Sequence, residues 1–153
     1  MICISKGQEY RVLVDVTSIS KIQEYTWNID VNGYVYSSLF KNGKHKKLYL
    51  HRMLLQVSGS LVDHIDHNRL NNCLSNLRVC SSAENNRNRL SIQGSSKYKG
   101  VSFCKKEKRW YAYITLHNKK KHIGIFDCEK EAAEAYNAKA LEFFGDFACL
   151  NII

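Results

Sequence analysis

Asp63 and His64 are adjacent in the sequence, and two amide side chains follow them at Asn76 and Asn85. A carboxylate and an amide oxygen are hard ligands that suit Mg²⁺ or Mn²⁺. An imidazole with a pKa near neutrality readily accepts a proton from water. Together these groups could hydrolyse a phosphodiester bond, because that reaction needs a cation at the phosphate and a base for the attacking water.

Strand, loop, strand and helix are the elements predicted to position these groups, within residues 61–90. Leu61 to His64 and Leu77 to Val79 have the patterns of short strands, and an Asn-rich loop joins them. Ser81 and Glu84, three residues apart, form a capping box, so a helix is expected from there to about the end of the segment. Neighbours on a regular strand point to opposite faces, so the adjacent Asp and His converge only at a strand end or bend.

Two other interpretations of this segment stay open from its residues alone. The asparagines of the loop could be turn formers only, because Asn tolerates left-handed backbone and bonds its own main chain. The histidines and cysteines could instead form a structural zinc site, although their spacing fits no usual zinc pattern. The candidate ligands of that site are His64, His67, Cys73 and Cys80.

The segment resembles the HNH endonucleases with a ββα-metal fold. The resemblance is strongest to the homing enzymes with an Asp-His-Ile-Asp-x-Asn-x-Leu-Asn-Asn and an Asn-Leu-Arg-Val core. The match is close over residues 61–89. A looser resemblance to the segment that usually precedes this motif in the family is found at Leu48-Tyr49-Leu50-His51-Arg52. In this preceding segment, His51 is as compatible with packing as with a contact to substrate.

Residue roles follow from this resemblance position by position. It implies that Asp63 and Asn85 bind the metal ion and that His64 is the general base. It also implies that Asn76 pins the loop between the strands. Asn85 stands where the family usually has its last His. Because this substitution also occurs in the homing branch, the expected cofactor shifts from zinc to magnesium or manganese.

The charge of the chain is unevenly distributed, although its total is +9. Residues 86–122 hold 11 Lys/Arg and 1 Asp/Glu, against 10 and 7 in residues 1–85 and 2 and 6 in residues 123–153. This basic block is interleaved with aromatic residues, so it should be folded. Cations that meet phosphates and flat side chains that meet bases and sugars are typical of nucleic-acid binding.

An antiparallel β module is expected at the N-terminus. Asn32-Gly33 and Asn42-Gly43 stand before or between short β-like runs, and Asn-Gly is the strongest short hairpin signal. The expected elements are strands at Tyr10–Val16, Tyr34–Leu39 and Lys47–Leu50 and a helix at His51–Gln56.

A small, polar segment at residues 91–96 is expected to be a flexible linker between two domains, residues 1–90 and 97–153. Three antiparallel strands and one helix should follow it. Because the helix has its apolar residues on one face, it should cover the back of the sheet and leave the other face of the basic strands free. The expected elements are Gly100–Phe103, Arg109–His117, Lys121–Phe126 and Glu129–Phe144, with Gly145 ending the helix.

Residues 97–151 resemble the plant ethylene-response (APETALA-type) DNA-binding domain almost from end to end. Such domains place a three-stranded sheet in the DNA major groove and pack a helix behind it. Ser102 and His122 depart from the plant pattern, so base specificity is not carried over. The matching residues are Tyr98-Lys99-Gly100-Val101, Trp110 with Ala112 and Ile114, Gly124 with Phe126, Glu131-Ala132-Ala133 with Ala135-Tyr136, and Gly145 with Ala148 and Leu150-Asn151.

The second resemblance also implies a set of DNA contacts on the sheet. Trp110 shares a strand face with Ala112 and Ile114, so it is equally compatible with packing under the sheet. Arg87 and Arg89, at the far end of the predicted nuclease helix, are further candidates for phosphate contacts. The contacts implied on the sheet are Lys99, Lys105, Lys106, Arg109, Trp110, Tyr111, Tyr113, Lys119, Lys120 and Lys121.

These patterns predict an α+β protein with a ββα-metal HNH nuclease module and a three-stranded antiparallel sheet packed on one helix. The expected function is a metal-dependent, homing-type DNA endonuclease that acts on double-stranded DNA with Mg²⁺ or Mn²⁺. A DNA-binding regulator with a degenerate nuclease fold is the alternative. Six singly spaced cysteines and the lack of a signal peptide or membrane segment favour the cytoplasm, that of a host cell if a phage encodes the chain. A monomer is favoured.

Overall fold

Short helices and antiparallel sheets make up the protein, as the sequence predicts. The chain forms two units, Met1–Ser82 and Ala83–Ile153, and the division lies ahead of the predicted linker at residues 91–96. Part of that linker lies outside the described residues. Among the described residues, no helix is long and apolar enough to cross a membrane. The computed structural model describes residues 2–5, 7–89 and 94–153.

Small antiparallel sheets dominate the N-terminal unit. Its strands are β1 (Ile2–Ser5), β2 (Gln8–Arg11), β3 (Asn28–Ile29), β4 (Val35–Lys41), β5 (Lys44–Tyr49), β6 (Leu61–His64) and β7 (Leu77–Cys80), and its helices are α1 (Ile19–Ile22) and α2 (Leu50–Leu54). β1 pairs with β2, β4 lies between β3 and β5, and β6 pairs with β7. The strands predicted around the Asn-Gly pairs are therefore present. Asn42 and Gly43 form the β4–β5 turn with φ of 55° and 72°, values that Asn and Gly tolerate best.

The strand predicted at Tyr10–Val16 is wrong in extent, because β2 ends at Arg11. Beyond that point the main chain bonds to the loop between β6 and β7 instead of a sheet. The Leu13 amide donates to the carbonyl of Leu70 at 2.8 Å, and the Leu13 carbonyl accepts from the amide of Asn72 at 2.9 Å. The N-terminal segment thus fixes the backbone of the loop that follows His64.

One apolar cluster holds the N-terminal unit together. Trp27 lies within it and donates its indole N–H to the carbonyl of Ile22 at 2.9 Å, which satisfies the buried polar atom. Burial of each large aliphatic side chain contributes about 1.5–3 kcal/mol to the stability of the fold. The buried members are Val12, Ile22, Trp27, Val35, Leu50, Leu54 and Leu77.

The strand, loop, strand and helix predicted for residues 61–90 are present. β6 and β7 pair antiparallel, with Leu61 opposite Cys80 and His64 opposite Leu77. The helix is α3 (Ser82–Arg87), which ends before the predicted limit at Leu90, a residue outside the described ranges.

The C-terminal sheet consists of β8 (Val101–Cys104), β9 (Arg109–Leu116) and β10 (Lys119–Phe126), with β9 in the middle. α4 (Glu129–Phe144) packs on one face of this sheet, so the prediction for this helix is confirmed. Gly100 has φ of 75°, and a Cβ there would lie 2.1 Å from the Tyr136 ring, so only glycine fits. The buried contacts between sheet and helix come from Ala112, Ile114, Ala132, Ala133, Tyr136 and Ala140.

Candidate active site and nucleic-acid surface

Asp63 and His64 are the last two residues of β6, and both are buried. Their position at a strand end meets the condition under which neighbouring side chains can serve one site. β6 is short and its partner β7 carries Arg78 opposite Asp63 and Leu77 opposite His64. The strand pair therefore places one charged and one apolar neighbour across from the two candidate residues.

The Asp63 carboxylate forms an ion pair with Arg78. Arg78 Nε and Nη2 lie 2.9 Å and 2.7 Å from Asp63 Oδ2, and the two side chains are only 14% and 8% exposed. Two charge-assisted hydrogen bonds fix the orientation of the carboxylate. Because a carboxylate has about four acceptor sites on its two oxygens, this ion pair and a cation can share it. The hard oxygen donors of Asp63 and Asn85 suit Mg²⁺ or Mn²⁺.

His64 is held by a buried asparagine. Its Nε2 lies 3.4 Å from Oδ1 of Asn72, and the Nδ2 of Asn72 donates to the carbonyl of Arg69 at 3.1 Å. Because that second bond turns the amide oxygen of Asn72 toward the imidazole, Asn72 favours the tautomer of His64 that has its proton on Nε2. Asn72 is completely buried, so its side chain has little freedom to turn.

A group of rings surrounds His64. The centroids of His51 and Tyr34 lie 5.3 Å and 6.1 Å from that of His64. Burial lowers the pKa of His64, while the hydrogen bond to Asn72 and the charges of nearby carboxylates oppose the change. A lowered pKa keeps this imidazole neutral at neutral pH, the form that accepts a proton.

His51 is a packing residue in this structure. Burial first, and then the neighbouring His64, lower the pKa of His51 to about 4. Its Nδ1 is buried and has no hydrogen-bond partner within the described residues. The ring stacks on Tyr49 at 5.6 Å and contacts Tyr34 at 5.3 Å. Of the two interpretations of this histidine from the sequence, the structure favours packing.

Asn76 pins the loop between β6 and β7, as the sequence predicts. Its Oδ1 accepts from the amide of Asp66 at 3.0 Å, and its Nδ2 donates to the carbonyl of Asn71 at 2.8 Å. The same Nδ2 also reaches Asp66 Oδ1 at 2.8 Å. These bonds satisfy backbone polar groups of the loop that follows His64. Asn76 therefore influences the site by holding the backbone of this loop in place.

Arg78 and Asn72 are the contributors that the sequence analysis missed. Arg78 belongs to the Asn-Leu-Arg-Val motif, but its pairing with Asp63 follows only from the register of β6 against β7. Asn72 is one of several asparagines in the loop, and nothing in the residue pattern distinguishes it from turn formers. Its complete burial and its contact to His64 distinguish it.

The proposed metal ligands lie in different units of the chain. Asp63 belongs to the first unit, whereas Asn85 is an exposed residue of α3 in the second. Their convergence on one ion therefore stays a prediction. Within residues 2–5, 7–89 and 94–153, no three His, Cys, Asp or Glu side chains form a group that could hold a metal, the predicted zinc ligands included.

The face of the C-terminal sheet opposite α4 carries cations and aromatic rings. The Tyr111 and Tyr113 rings stack at 6.0 Å, and both contact His122, at 5.6 Å and 5.3 Å. The ammonium of Lys120 lies over the Tyr113 ring at 3.9 Å. Among the other predicted contacts, Arg109 is exposed and pairs with Asp127 at 2.9 Å. The exposed lysines of this unit include Lys105, Lys106, Lys119, Lys120 and Lys121.

Three predicted DNA contacts have other positions in the structure. One is Lys121, which lies opposite Ile114 in the sheet and has its ammonium 5.8 Å from the Phe143 ring of α4. Trp110 packs against the core under the sheet, with its ring 4.9 Å from Phe103, so it is not on the open face. Its strand neighbours Ala112 and Ile114 face α4, and alternation puts Trp110 on their side. The interpretation of Trp110 as a DNA contact is therefore corrected.

Lys99 is the third exception. Its ammonium donates to the carbonyls of Arg87 and Arg89 at the end of α3, at 2.8 Å for Arg89. A cation satisfies carbonyls that a helix end leaves without partners. Burial lowers the pKa of Lys99. Arg87 is also engaged, with its guanidinium 4.9 Å from the Phe144 ring centroid, whereas Arg89 is exposed.

Comparisons with known proteins agree with the strand, loop, strand and helix of the N-terminal half. A family model for HNH endonucleases matches residues 58–87. Over 157 residues the chain is 32% identical to an uncharacterized HNH endonuclease of Acanthamoeba polyphaga mimivirus, covering 98% of this chain and 79% of that protein. It is also 33% identical over 91 residues to protein 3.8 of Escherichia phage T7, covering 59% of this chain and 74% of that protein.

Other similarities are more limited. An AP2-like ethylene-responsive transcription factor of Arabidopsis thaliana is 41% identical over 61 residues, which is 39% of this chain and 11% of that protein. Among solved structures, one of DNA binding and cleavage by the HNH homing endonuclease I-HmuI aligns with a TM-score of 0.37 and 25% identity, covering 78% of this chain and 75% of that one.

The extent of the match to the viral relative defines the class of this protein. The chain belongs to the HNH endonuclease family.

Proposed function

We propose that this protein is a metal-dependent DNA endonuclease of the homing type, with His64 as the general base for hydrolysis. The observation that carries the proposal is the fixed pair at the end of β6. Asp63 is oriented by Arg78, and His64 is buried, neutral and directed by Asn72. A base and a hard anionic ligand on adjacent residues match the chemistry of phosphodiester hydrolysis.

The residues of the chain have separate roles in this proposal. Asp63 and Asn85 would hold Mg²⁺ or Mn²⁺, and the bound ion would stabilise the charge on the phosphate and on the leaving 3′ oxygen. His64 would take the proton of the attacking water, with its ring oriented by the contact to Asn72. Asn72 and Asn76 are positioning residues that hold the imidazole and the loop behind it.

The C-terminal sheet would bind the substrate. Its open face carries Tyr111, Tyr113 and Lys120 together, and the partial similarity to plant AP2-like proteins supports DNA as the ligand. A cleft of about 750 Å³ within this unit is lined by Asn86 and Arg87 of α3 and by Tyr113 and Lys120 of the sheet, with no acidic residue among its lining residues. DNA on the sheet would therefore pass close to the helix that carries Asn85.

Cleavage of double-stranded DNA tests the proposal directly. The purified protein should cut DNA of mixed sequence only when Mg²⁺ or Mn²⁺ is present, and EDTA should stop it. Mapped ends should carry a 5′ phosphate, because the 3′ oxygen is the leaving group. A well-folded protein that binds DNA but leaves it intact with either ion would support the alternative, a DNA-binding regulator with an inactive nuclease fold.

Removal of three exposed lysines tests the binding surface. Lys119→Ala, Lys120→Ala and Lys121→Ala together should weaken DNA binding and flatten the dependence of log affinity on log salt. Each phosphate contact contributes roughly 0.9 to that slope, because a cation displaces counterions from DNA. Fluorescence anisotropy with a labelled duplex in EDTA measures both quantities. An unchanged slope would place the DNA surface elsewhere.

A further inference from the structure

A second basic region lies in the N-terminal unit, in the β4–β5 hairpin. No Asp or Glu occurs between Asp30 and Asp63, while this stretch contains five Lys/Arg residues. Four of those five are lysines at the end of the hairpin. They are Lys41, Lys44, Lys46 and Lys47. The small net charge of residues 1–85 as a whole conceals this region, because the acidic residues lie outside it.

The register of the hairpin brings like charges together. Lys41 lies directly opposite Lys44, beside the turn, and Lys46 lies opposite Leu39. All three lysines are exposed. Like charges that face each other across two strands destabilise a hairpin. Lys47 has an acidic neighbour, Asp30 at 3.9 Å, but among the described residues no ion pair involves the other three lysines.

The opposite side of the hairpin exposes rings. Phe40 is 70% exposed and its ring lies 5.1 Å from that of His45. The ammonium of Lys47 lies 4.3 Å from the centroid of Tyr36 on the same side. Rings and cations on one exposed ribbon are the combination that meets sugars, bases and phosphates in nucleic-acid complexes.

The dimensions of the hairpin also fit DNA. A strand of seven residues, the length of β4, is about 23 Å long at roughly 3.3 Å per residue. A two-stranded antiparallel ribbon of this kind enters the B-DNA major groove, which is about 12 Å wide. The Asn42-Gly43 turn keeps the end of the ribbon narrow, since both residues adopt positive φ without a longer loop.

We propose that the β4–β5 hairpin is a second DNA-binding element, in which Lys41, Lys44 and Lys46 contact the phosphates of the duplex. This inference rests on the proposed function, because it takes double-stranded DNA as the substrate. The hairpin contains no Asp or Glu that could offset the repulsion between Lys41 and Lys44, whereas a bound polyanion would offset it. The hairpin would give the nuclease unit a DNA contact that does not depend on the C-terminal sheet.

The test compares two triple variants with the same change in charge. One is Lys41→Ala, Lys44→Ala and Lys46→Ala. The matched control is Lys21→Ala, Lys130→Ala and Lys139→Ala, on the helices α1 and α4, which carry none of the lysines of the two proposed surfaces. At 0.1 M salt, each lost phosphate contact should weaken duplex binding about eightfold, which follows from a slope of roughly 0.9 per contact. The hairpin variant should show this loss and a flatter salt slope, and the control should show much less. Equal effects in the two triples would overturn the proposal.

Lys44→Glu separates DNA binding from misfolding. It replaces the repulsion with an attraction between opposite charges, so the thermal midpoint should rise while duplex affinity falls. A protein that is more stable but binds less cannot be explained by unfolding. An unchanged affinity of Lys44→Glu for duplex DNA would contradict the proposal.

Two further arms distinguish this proposal from its alternatives and from the proposed function. If the hairpin lysines are needed for binding to phosphatidylserine vesicles but not to duplex DNA, the partner is a membrane surface and the proposal fails. If the Lys119, Lys120 and Lys121 variant loses affinity while the hairpin variant does not, only the hairpin inference fails. If neither triple changes duplex binding and the wild-type protein cuts no DNA, the proposed function fails as well.

Discussion

His64→Ala should lower the rate of DNA cleavage by roughly 10² to 10⁴, the usual contribution of a positioned general base. Affinity for duplex DNA should stay nearly unchanged, because the basic surfaces lie on other elements of the chain. Single-turnover cleavage with saturating protein measures the first quantity, and anisotropy in EDTA measures the second. Added imidazole should restore part of the lost rate if the missing group is a base.

Folding must be separated from catalysis in this experiment. His64 is buried and contacts Asn72, whose amide is completely buried, so truncation leaves a polar atom without that partner, at a cost of about 1–3 kcal/mol. His64→Gln keeps more of the volume and can still donate to Asn72. His51→Phe is the matched control, since it changes a buried neighbouring imidazole whose Nδ1 makes no hydrogen bond to any residue that the structure describes. A well-folded His64→Ala protein that cuts at the wild-type rate would exclude His64 as the base.

The sequence predicts most of the fold because local signals and long-range packing agree. Asn42-Gly43 forms a hairpin turn in the structure, and α4 has the bounds that its apolar face predicts. The Tyr10–Val16 strand fails for a different reason. Its residues have strand propensity, but the amide and carbonyl of Leu13 bond to a loop almost sixty residues away, and no local pattern records that contact.

The candidate site divides in the same way. Asp63, His64 and Asn76 are recognised from residue types and spacing within one segment. Arg78 and Asn72 are not, because their roles depend on the strand register and on which asparagine of the loop is buried. The net charge of residues 1–85 does not reveal the hairpin lysines, because acidic residues elsewhere in that stretch cancel much of their positive charge.

The DNA surface of the C-terminal unit shows how alternation selects residues. Tyr111 and Tyr113 share an open face with Lys120, whereas Trp110 lies on the covered face. The alternation of residues along β9 already separates the two faces of this strand in the sequence. It does not show which of the two faces α4 covers, so the position of the Trp110 ring follows only from the structure. The position of Lys99 cannot be predicted from a local pattern. Its ammonium bonds the carbonyls of Arg87 and Arg89, which lie ten or more residues earlier in the sequence.

Asp63→Ala should reduce cleavage at least as much as His64→Ala, because it removes the proposed carboxylate ligand of the metal ion. The protein should also lose stability. Arg78 is only 14% exposed and would keep its charge without this carboxylate, and breaking such a buried pair costs about 3–5 kcal/mol. Activity loss in the single variant therefore mixes two causes, a weakened metal site and a weakened strand pair.

Removing both charges separates these causes. In Asp63→Ala with Arg78→Met, no buried cation is left without its carboxylate, so much of the stability should return in thermal or urea unfolding. Cleavage should stay as low as in Asp63→Ala alone, and higher Mg²⁺ or Mn²⁺ should restore little of it. Arg78→Met by itself should keep measurable cleavage, because the carboxylate remains. Recovery of wild-type cleavage in the double variant would show that Asp63 serves only to pair with Arg78, and the metal ligand would have to be sought elsewhere.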